Sequence, residues 1–68
     1  MRTLSAIEAG KVLGVTHTTI HRYVRQGLLS ARYVGIRRIL RFDIEDLRRF
    51  AAEYQIDFNE DVLKELME

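Results

Sequence analysis

The chain has 68 residues, a formal net charge of +1, and no cysteine, proline or tryptophan. A chain of this length buries only about 60% of the surface that its unfolded form exposes, so it supports one small core and no separate substrate domain. The absence of cysteine excludes disulfides, thiol nucleophiles and thiolate zinc sites. No apolar run approaches the roughly 18 residues of a membrane span, and the first residues lack the hydrophobic stretch of a signal peptide. We therefore expect a globular, cytoplasmic protein without a membrane partner.

The first predicted helix begins at Ala6 and ends at Gly14. Ser5 and Glu8 have the spacing of a capping box, in which each side chain accepts a hydrogen bond from the other residue's backbone N–H. Gly14 suits the left-handed conformation of a helix C-terminus. Gly10 lies inside the helix at a cost of roughly 1 kcal/mol relative to Ala, which predicts that another backbone passes close to it.

A second helix is predicted over residues 17–26, with Thr16 as its N-cap and Gly27 at its end. At about 100° per residue, Ile20, Tyr23 and Val24 share one side of this helix. The other side carries only polar and charged residues, namely His17, Thr18, His21, Arg22 and Arg25. Two short amphipathic helices joined by such a short link predict a helix-turn-helix, whose second helix enters the major groove of DNA.

A β-hairpin and a third helix are predicted next. Residues 32–34 and 39–42 are rich in β-formers, and residues 35–38 form the tip, where Gly35 tolerates a positive φ. Asp43 is the predicted N-cap of the third helix. The apolar residues of this helix recur at helical spacing and predict a core-facing side: Ile44, Leu47, Phe50, Ala51 and Tyr54.

The last segment, residues 55–68, predicts a short helix capped by Asp57 or Asn59. Its apolar edge consists of Phe58, Val62, Leu63, Leu66 and Met67. Because so short a helix is marginal in isolation, we expect it to pack on the body, on a second copy or on a partner. The first four of these residues are the predicted partner-binding residues. The chain thus divides into a domain over residues 1–54 and an acidic C-terminal segment over residues 55–68.

The near-neutral total charge conceals an uneven distribution. Residues 1–54 carry ten Arg and Lys against five Asp and Glu, a net charge of +5, and residues 55–68 carry one Lys against five acidic residues, a net charge of −4. Nine of the ten basic residues in the body are Arg, whose planar guanidinium binds phosphate and guanine edges in a bidentate manner. A basic body with an acidic end indicates nucleic acid on one side and self-association or a basic partner on the other.

The order of helix, turn, helix, hairpin and helix resembles the excisionase and MerR-like winged helix-turn-helix domains over residues 3–53. The resemblance rests on the motifs LSAIEA, LGVT, TIHRY, QGLL, VGIRR and FDIEDL, which begin at residues 4, 13, 19, 26, 34 and 42. That family usually has Ala at the position of Gly10 and Pro at the position of Ser30. MerR regulators usually continue into a long dimerising helix and an effector domain, for which this length leaves no room, so the small excisionase-like members are the nearer match.

The resemblance implies a mostly α fold with a small β-hairpin, a winged helix-turn-helix that binds double-stranded DNA. It implies groove contacts by Thr18, His21, Arg22 and Arg25, and wing contacts by Gly35, Arg37 and Arg38. The full set of expected DNA-binding residues adds Thr16, His17, Thr19, Tyr33 and Arg41. By the same resemblance, the role is that of an excisionase, which assembles as several copies, bends an attachment site and directs a phage or mobile-element integrase towards excision.

Other functions compete with this interpretation. A minimal MerR-like transcriptional regulator or a phage repressor would use the same surface, whereas an adaptor or packaging subunit would bind protein through the acidic segment. His17 and His21 at i, i+4 have the spacing of two metal ligands, but Thr18 stands where a zinc-protease motif has Glu and no third ligand is near. We expect no metal, no cofactor and no catalytic residue, because nothing in the sequence combines a nucleophile with a base.

Overall fold

Four helices and a three-stranded antiparallel sheet make up residues 3–68, the part of the chain that the computed structural model describes. Their order is β1 (Thr3–Leu4), α1 (Ala6–Leu13), α2 (His17–Arg25), β2 (Arg32–Val34), β3 (Ile39–Asp43), α3 (Ile44–Tyr54) and α4 (Glu60–Met67). The mostly α fold with a small hairpin is confirmed. Residues 1 and 2, with which the predicted domain begins, lie outside the described residues. None of the described helices is long and apolar enough to cross a membrane.

The predicted start and end of α1 are confirmed. The Ser5 N–H donates to Glu8 Oε1 at 2.9 Å and the Glu8 N–H donates to Ser5 Oγ at 3.2 Å, which completes the capping box. At the other end, Gly14 adopts a left-handed φ of 73°. The close approach at Gly10 is also confirmed, because a Cβ there would lie 2.5 Å from the carbonyl oxygen of Val15. An Ala at position 10, as is usual in the excisionase and MerR-like domains that the sequence resembles, would require the turn after α1 to lie farther from the helix.

The sheet has the order β1, β3, β2, so its central strand is the second strand of the hairpin. The hairpin register pairs Tyr33 with Leu40 and Val34 with Ile39, as the predicted strand positions require. β1 was not predicted; it pairs Leu4 with Phe42, and both side chains enter the core. The core lies between the sheet and the helices and includes residues from all of them except β2.

Two expectations for α3 need correction. Asp43 occupies the N-cap position, but its side chain makes no capping hydrogen bond. Asp43 Oδ2 instead accepts from Arg32 Nε at 2.9 Å, because β2 brings this guanidinium alongside the end of β3. Tyr54, predicted to face the core, is 43% exposed, and its ring contacts Phe50 at a centroid distance of 4.9 Å.

The C-terminal helix α4 packs on the body of the protein. Asn59, and not Asp57, is its N-cap: Asn59 Oδ1 accepts from the Val62 N–H at 3.1 Å. The Asn59 N–H donates to the carbonyl oxygen of Val12 in α1 at 2.9 Å. Leu63 is buried in the core, and Phe58, Val62 and Leu66 pack against it. The apolar edge predicted to bind a partner therefore faces the chain's own body, which is the first of the three alternatives.

A salt bridge also joins α4 to α3. Arg48 donates to both carboxylate oxygens of Glu60, from Nε at 3.1 Å and from Nη2 at 2.9 Å. This hydrogen bonding holds the pKa of Glu60 below its usual value. The Arg48 guanidinium also lies over the ring of Phe58, 5.5 Å from its centroid. Because these groups are exposed to solvent, the buried Leu63 contributes more to the docking of α4 than the ion pair does.

We expect Leu63→Ala to lower the free energy of unfolding by about 2 kcal/mol or more, because it opens a cavity between α4 and the body. Urea denaturation followed by circular dichroism measures this change. Glu65→Ala, on the exposed side of the same helix, serves as the control and changes the free energy by less than about 0.5 kcal/mol. Equal and small effects of the two substitutions would mean that α4 does not dock.

Candidate nucleic-acid interface

The link between α1 and α2 is a tight turn of three residues, Gly14, Val15 and Thr16. The Val15 N–H donates to the carbonyl oxygen of Gly10 at 2.9 Å. Thr16 Oγ1 accepts from the Thr19 N–H at 3.3 Å and lies 3.1 Å from Thr19 Oγ1, which confirms Thr16 as the N-cap of α2. The structure therefore gives two of the predicted DNA-binding residues, Thr16 and Thr19, a role in starting the helix.

The two sides of α2 differ as the sequence predicts. Ile20 is fully buried, and the ring of Tyr23 contacts that of Phe50 at a centroid distance of 5.1 Å. The helix ends at Arg25, with Gln26 as its C-cap, one residue earlier than predicted. Its outward side is polar: His21 is half-buried, and the other four residues are exposed, namely His17, Thr18, Arg22 and Arg25.

The two histidines of α2 lie close together at the start of this outward side. Their ring centroids are 6.3 Å apart, and the rings meet edge to face. Among residues 3–68, no group of three or more His, Cys, Asp or Glu side chains is arranged to hold a metal ion. The arrangement provides hydrogen-bonding groups on a helix surface.

A hydrogen-bonded turn over residues 35–38 joins the two strands of the hairpin. The Arg38 N–H donates to the carbonyl oxygen of Gly35 at 3.1 Å. Gly35 has a φ of 81°, the positive value predicted for it, and Arg38 also adopts a positive φ, of 54°. The Arg38 guanidinium lies over the Tyr33 ring, 5.3 Å from its centroid, and Arg37 is exposed. Two arginines are thus presented at the tip of the hairpin.

A shallow depression of about 410 Å³ brings α2 and the hairpin together on one surface. His17 and His21 border it from α2, and Tyr33 and Arg38 border it from the hairpin. Its lining is largely apolar and includes Ile7 of α1, which is 59% exposed. The sequence did not reveal that Ile7 lies here, because helical periodicity alone does not show which neighbouring element leaves a gap.

Arg41 differs from the other arginines in the predicted DNA-binding set. Its Nε donates to Thr3 Oγ1 at 3.0 Å, and its Nη2 donates to the Thr3 carbonyl oxygen at 3.0 Å. These bonds tie the guanidinium to β1, a strand that the sequence did not predict. Arg41 therefore lies half-buried on the sheet, whereas Arg37 and Arg38 are exposed at the tip.

The comparison with protein families agrees with this geometry. A family model described as a helix-turn-helix domain matches residues 3–55. The chain belongs to this helix-turn-helix domain family. Comparisons with curated proteins and with solved structures give no match. The matched range of the helix-turn-helix extends from β1 through α3 and ends before α4. Because a helix-turn-helix is a DNA-binding unit whose second helix enters the major groove, family membership indicates DNA as the partner.

Proposed function

We propose that this protein is a winged helix-turn-helix that inserts α2 into the major groove of duplex DNA and places the hairpin on the adjacent backbone or minor groove. The observation that carries the proposal is that His17 and His21 of α2 border the same depression as Tyr33 and Arg38 of the hairpin. One surface with polar groups from both elements matches the two neighbouring grooves that such a domain spans.

The side chains of α2 suit base recognition. Arg22 and Arg25 are exposed on successive turns, and an arginine in the major groove donates two hydrogen bonds to a guanine edge. Thr18 and the two histidines add shorter polar groups beside them. In this arrangement, the groove-facing side chains give sequence preference.

The hairpin suits contacts with phosphates or with a narrow minor groove. Arg37 and Arg38 present positive charge there, and Gly35 lets the backbone approach closely. The cation–π contact with Tyr33 limits the motion of Arg38, so less freedom is lost when its guanidinium binds DNA.

The biological role that we propose is that of an excisionase. The resemblance of residues 3–53 to that family supports it, together with the small size of the DNA-binding surface. One module makes few contacts, so useful specificity requires several copies along an attachment site, and such an assembly bends the DNA. The partners in this role are duplex DNA, further copies of the protein and an integrase.

A salt titration of DNA affinity tests the binding mode. If about 4–6 phosphates are neutralised per protomer, the slope of log K against log salt concentration is about −4 to −5. We expect Arg37→Ala to reduce the magnitude of this slope by about 1. Arg41→Ala is the matched control: it leaves the slope unchanged and lowers the free energy of unfolding by about 1 kcal/mol, because Thr3 loses its partner. A flat salt response of the wild type contradicts groove docking.

A recombination assay tests the excisionase role separately. The substrates carry the attachment sites of a phage or mobile-element integrase, and integration and excision are measured with and without the protein. We expect excision to rise at least about tenfold and integration to fall, since bending assembles one synaptic complex at the expense of the other. An unchanged ratio of the two reactions would remove the excisionase role while leaving DNA binding intact.

A further inference from the structure

Ile36 is fully exposed at the apex of the hairpin. It is one of the two central residues of the turn closed by the Arg38 N–H and the Gly35 carbonyl. Its strand neighbours Val34 and Ile39, which pair across the hairpin, are also more than half exposed, at 52% and 55%. An isolated exposed isoleucine is ordinary, but three on the end of one hairpin form an apolar tip.

The positive charge beside this apolar tip indicates an anionic partner. Within residues 3–68, the arginines paired with carboxylates are Arg32, Arg48 and Arg49, which leaves Arg37 and Arg38 available for an external anion. An apolar side chain directly beside such arginines fits a surface that is anionic outside and apolar inside. Duplex DNA has this character, because phosphates line the groove and the stacked faces of the bases lie within it.

We propose that Ile36 is a wedge that enters the minor groove and inserts between two adjacent base pairs, where it partly unstacks them and kinks the duplex. This inference rests on the proposed DNA binding and specifies how the hairpin takes part. Isoleucine is among the apolar residues that proteins insert in this way, and the unstacking energy is recovered when the bent DNA contacts more protein surface.

The order of the turn supports insertion. Its closing hydrogen bond of 3.1 Å and the contact of Arg38 with the Tyr33 ring restrain the tip. A restrained tip loses less conformational freedom on binding, so more of the interaction energy remains available to separate two base pairs. The exposure of Ile36 also means that the fold does not depend on this side chain.

The wedge gives sequence preference without hydrogen bonds to bases. Pyrimidine–purine steps such as TA and CA/TG unstack most easily, so the site reached by the hairpin is one of these steps. A protein that needs to bend its DNA thereby selects sites that bend at low cost.

The test uses the full chain and a duplex of about 30 base pairs, enriched from a random-sequence pool by binding to the wild-type protein. The duplex carries 2-aminopurine at its protected pyrimidine–purine step and a donor and an acceptor dye at its ends. We expect the wild type to raise 2-aminopurine fluorescence about twofold or more and to kink the duplex by about 20–90°. Ile36→Ser loses both changes and still binds with the same salt slope, whereas Ile36→Leu retains them.

Each other outcome overturns the wedge. Failure of the wild type to bind any duplex removes the proposed function and the wedge together. Binding without a rise in fluorescence, or an equal rise with Ile36→Ser, removes the wedge alone. If Ile36→Ser lowers only the cooperativity between copies on a duplex with two sites, the apolar tip binds protein and not DNA.

Discussion

The close approach of the α1–α2 turn to Gly10 fixes the position of α2. A side chain at Gly10 would meet the Val15 carbonyl at 2.5 Å, and the Val15 N–H returns to the Gly10 carbonyl at 2.9 Å. With the turn held against α1, Ile20 enters the core and the opposite side of α2 faces outward. The polar surface of α2 is thus a consequence of a backbone contact several residues away.

A second constraint divides the arginines into two groups. Of the eight arginines in residues 3–68, Arg32, Arg41, Arg48 and Arg49 bind carboxylates or Thr3. The remaining four lie on the outward side of α2 and at the hairpin tip, namely Arg22, Arg25, Arg37 and Arg38. The net charge of the body therefore overstates how much positive charge is free, but the free arginines belong to the two elements that border the depression, α2 and the hairpin. The acidic helix α4 docks on α1 and α3, and one of its carboxylates, Glu60, pairs with Arg48.

The features that depend on local hydrogen bonds were predictable from the sequence. The capping box of Ser5 and Glu8 and the Thr16 cap join residues three positions apart, and the polar side of α2 follows the helical repeat, so local spacing determines all three. The features that depend on partners far apart in the sequence were not predictable. The use of Asp43 by Arg32 and the use of Thr3 by Arg41 join residues 11 and 38 positions apart, which no periodicity reports.

The candidate site shows the same division. The residue types on α2 and on the hairpin follow from the sequence, but the depression between them depends on how the sheet packs against α1. The docking of α4 is similar, because an apolar edge does not reveal whether it covers its own body or a partner. Burial of Leu63 and the hydrogen bond from Asn59 to Val12 resolve this alternative in favour of the body.

Docking of α2 and the hairpin on DNA is tested by a nuclear magnetic resonance titration of the labelled protein with duplex DNA, in which backbone amide shifts are followed residue by residue. Docking through α2 and the hairpin predicts that the largest shifts fall within residues 16–25 and 33–38, while residues 60–68 on the acidic helix barely change. Shifts concentrated on α3 and α4, with α2 and the hairpin unaffected, would contradict docking through α2 and the hairpin.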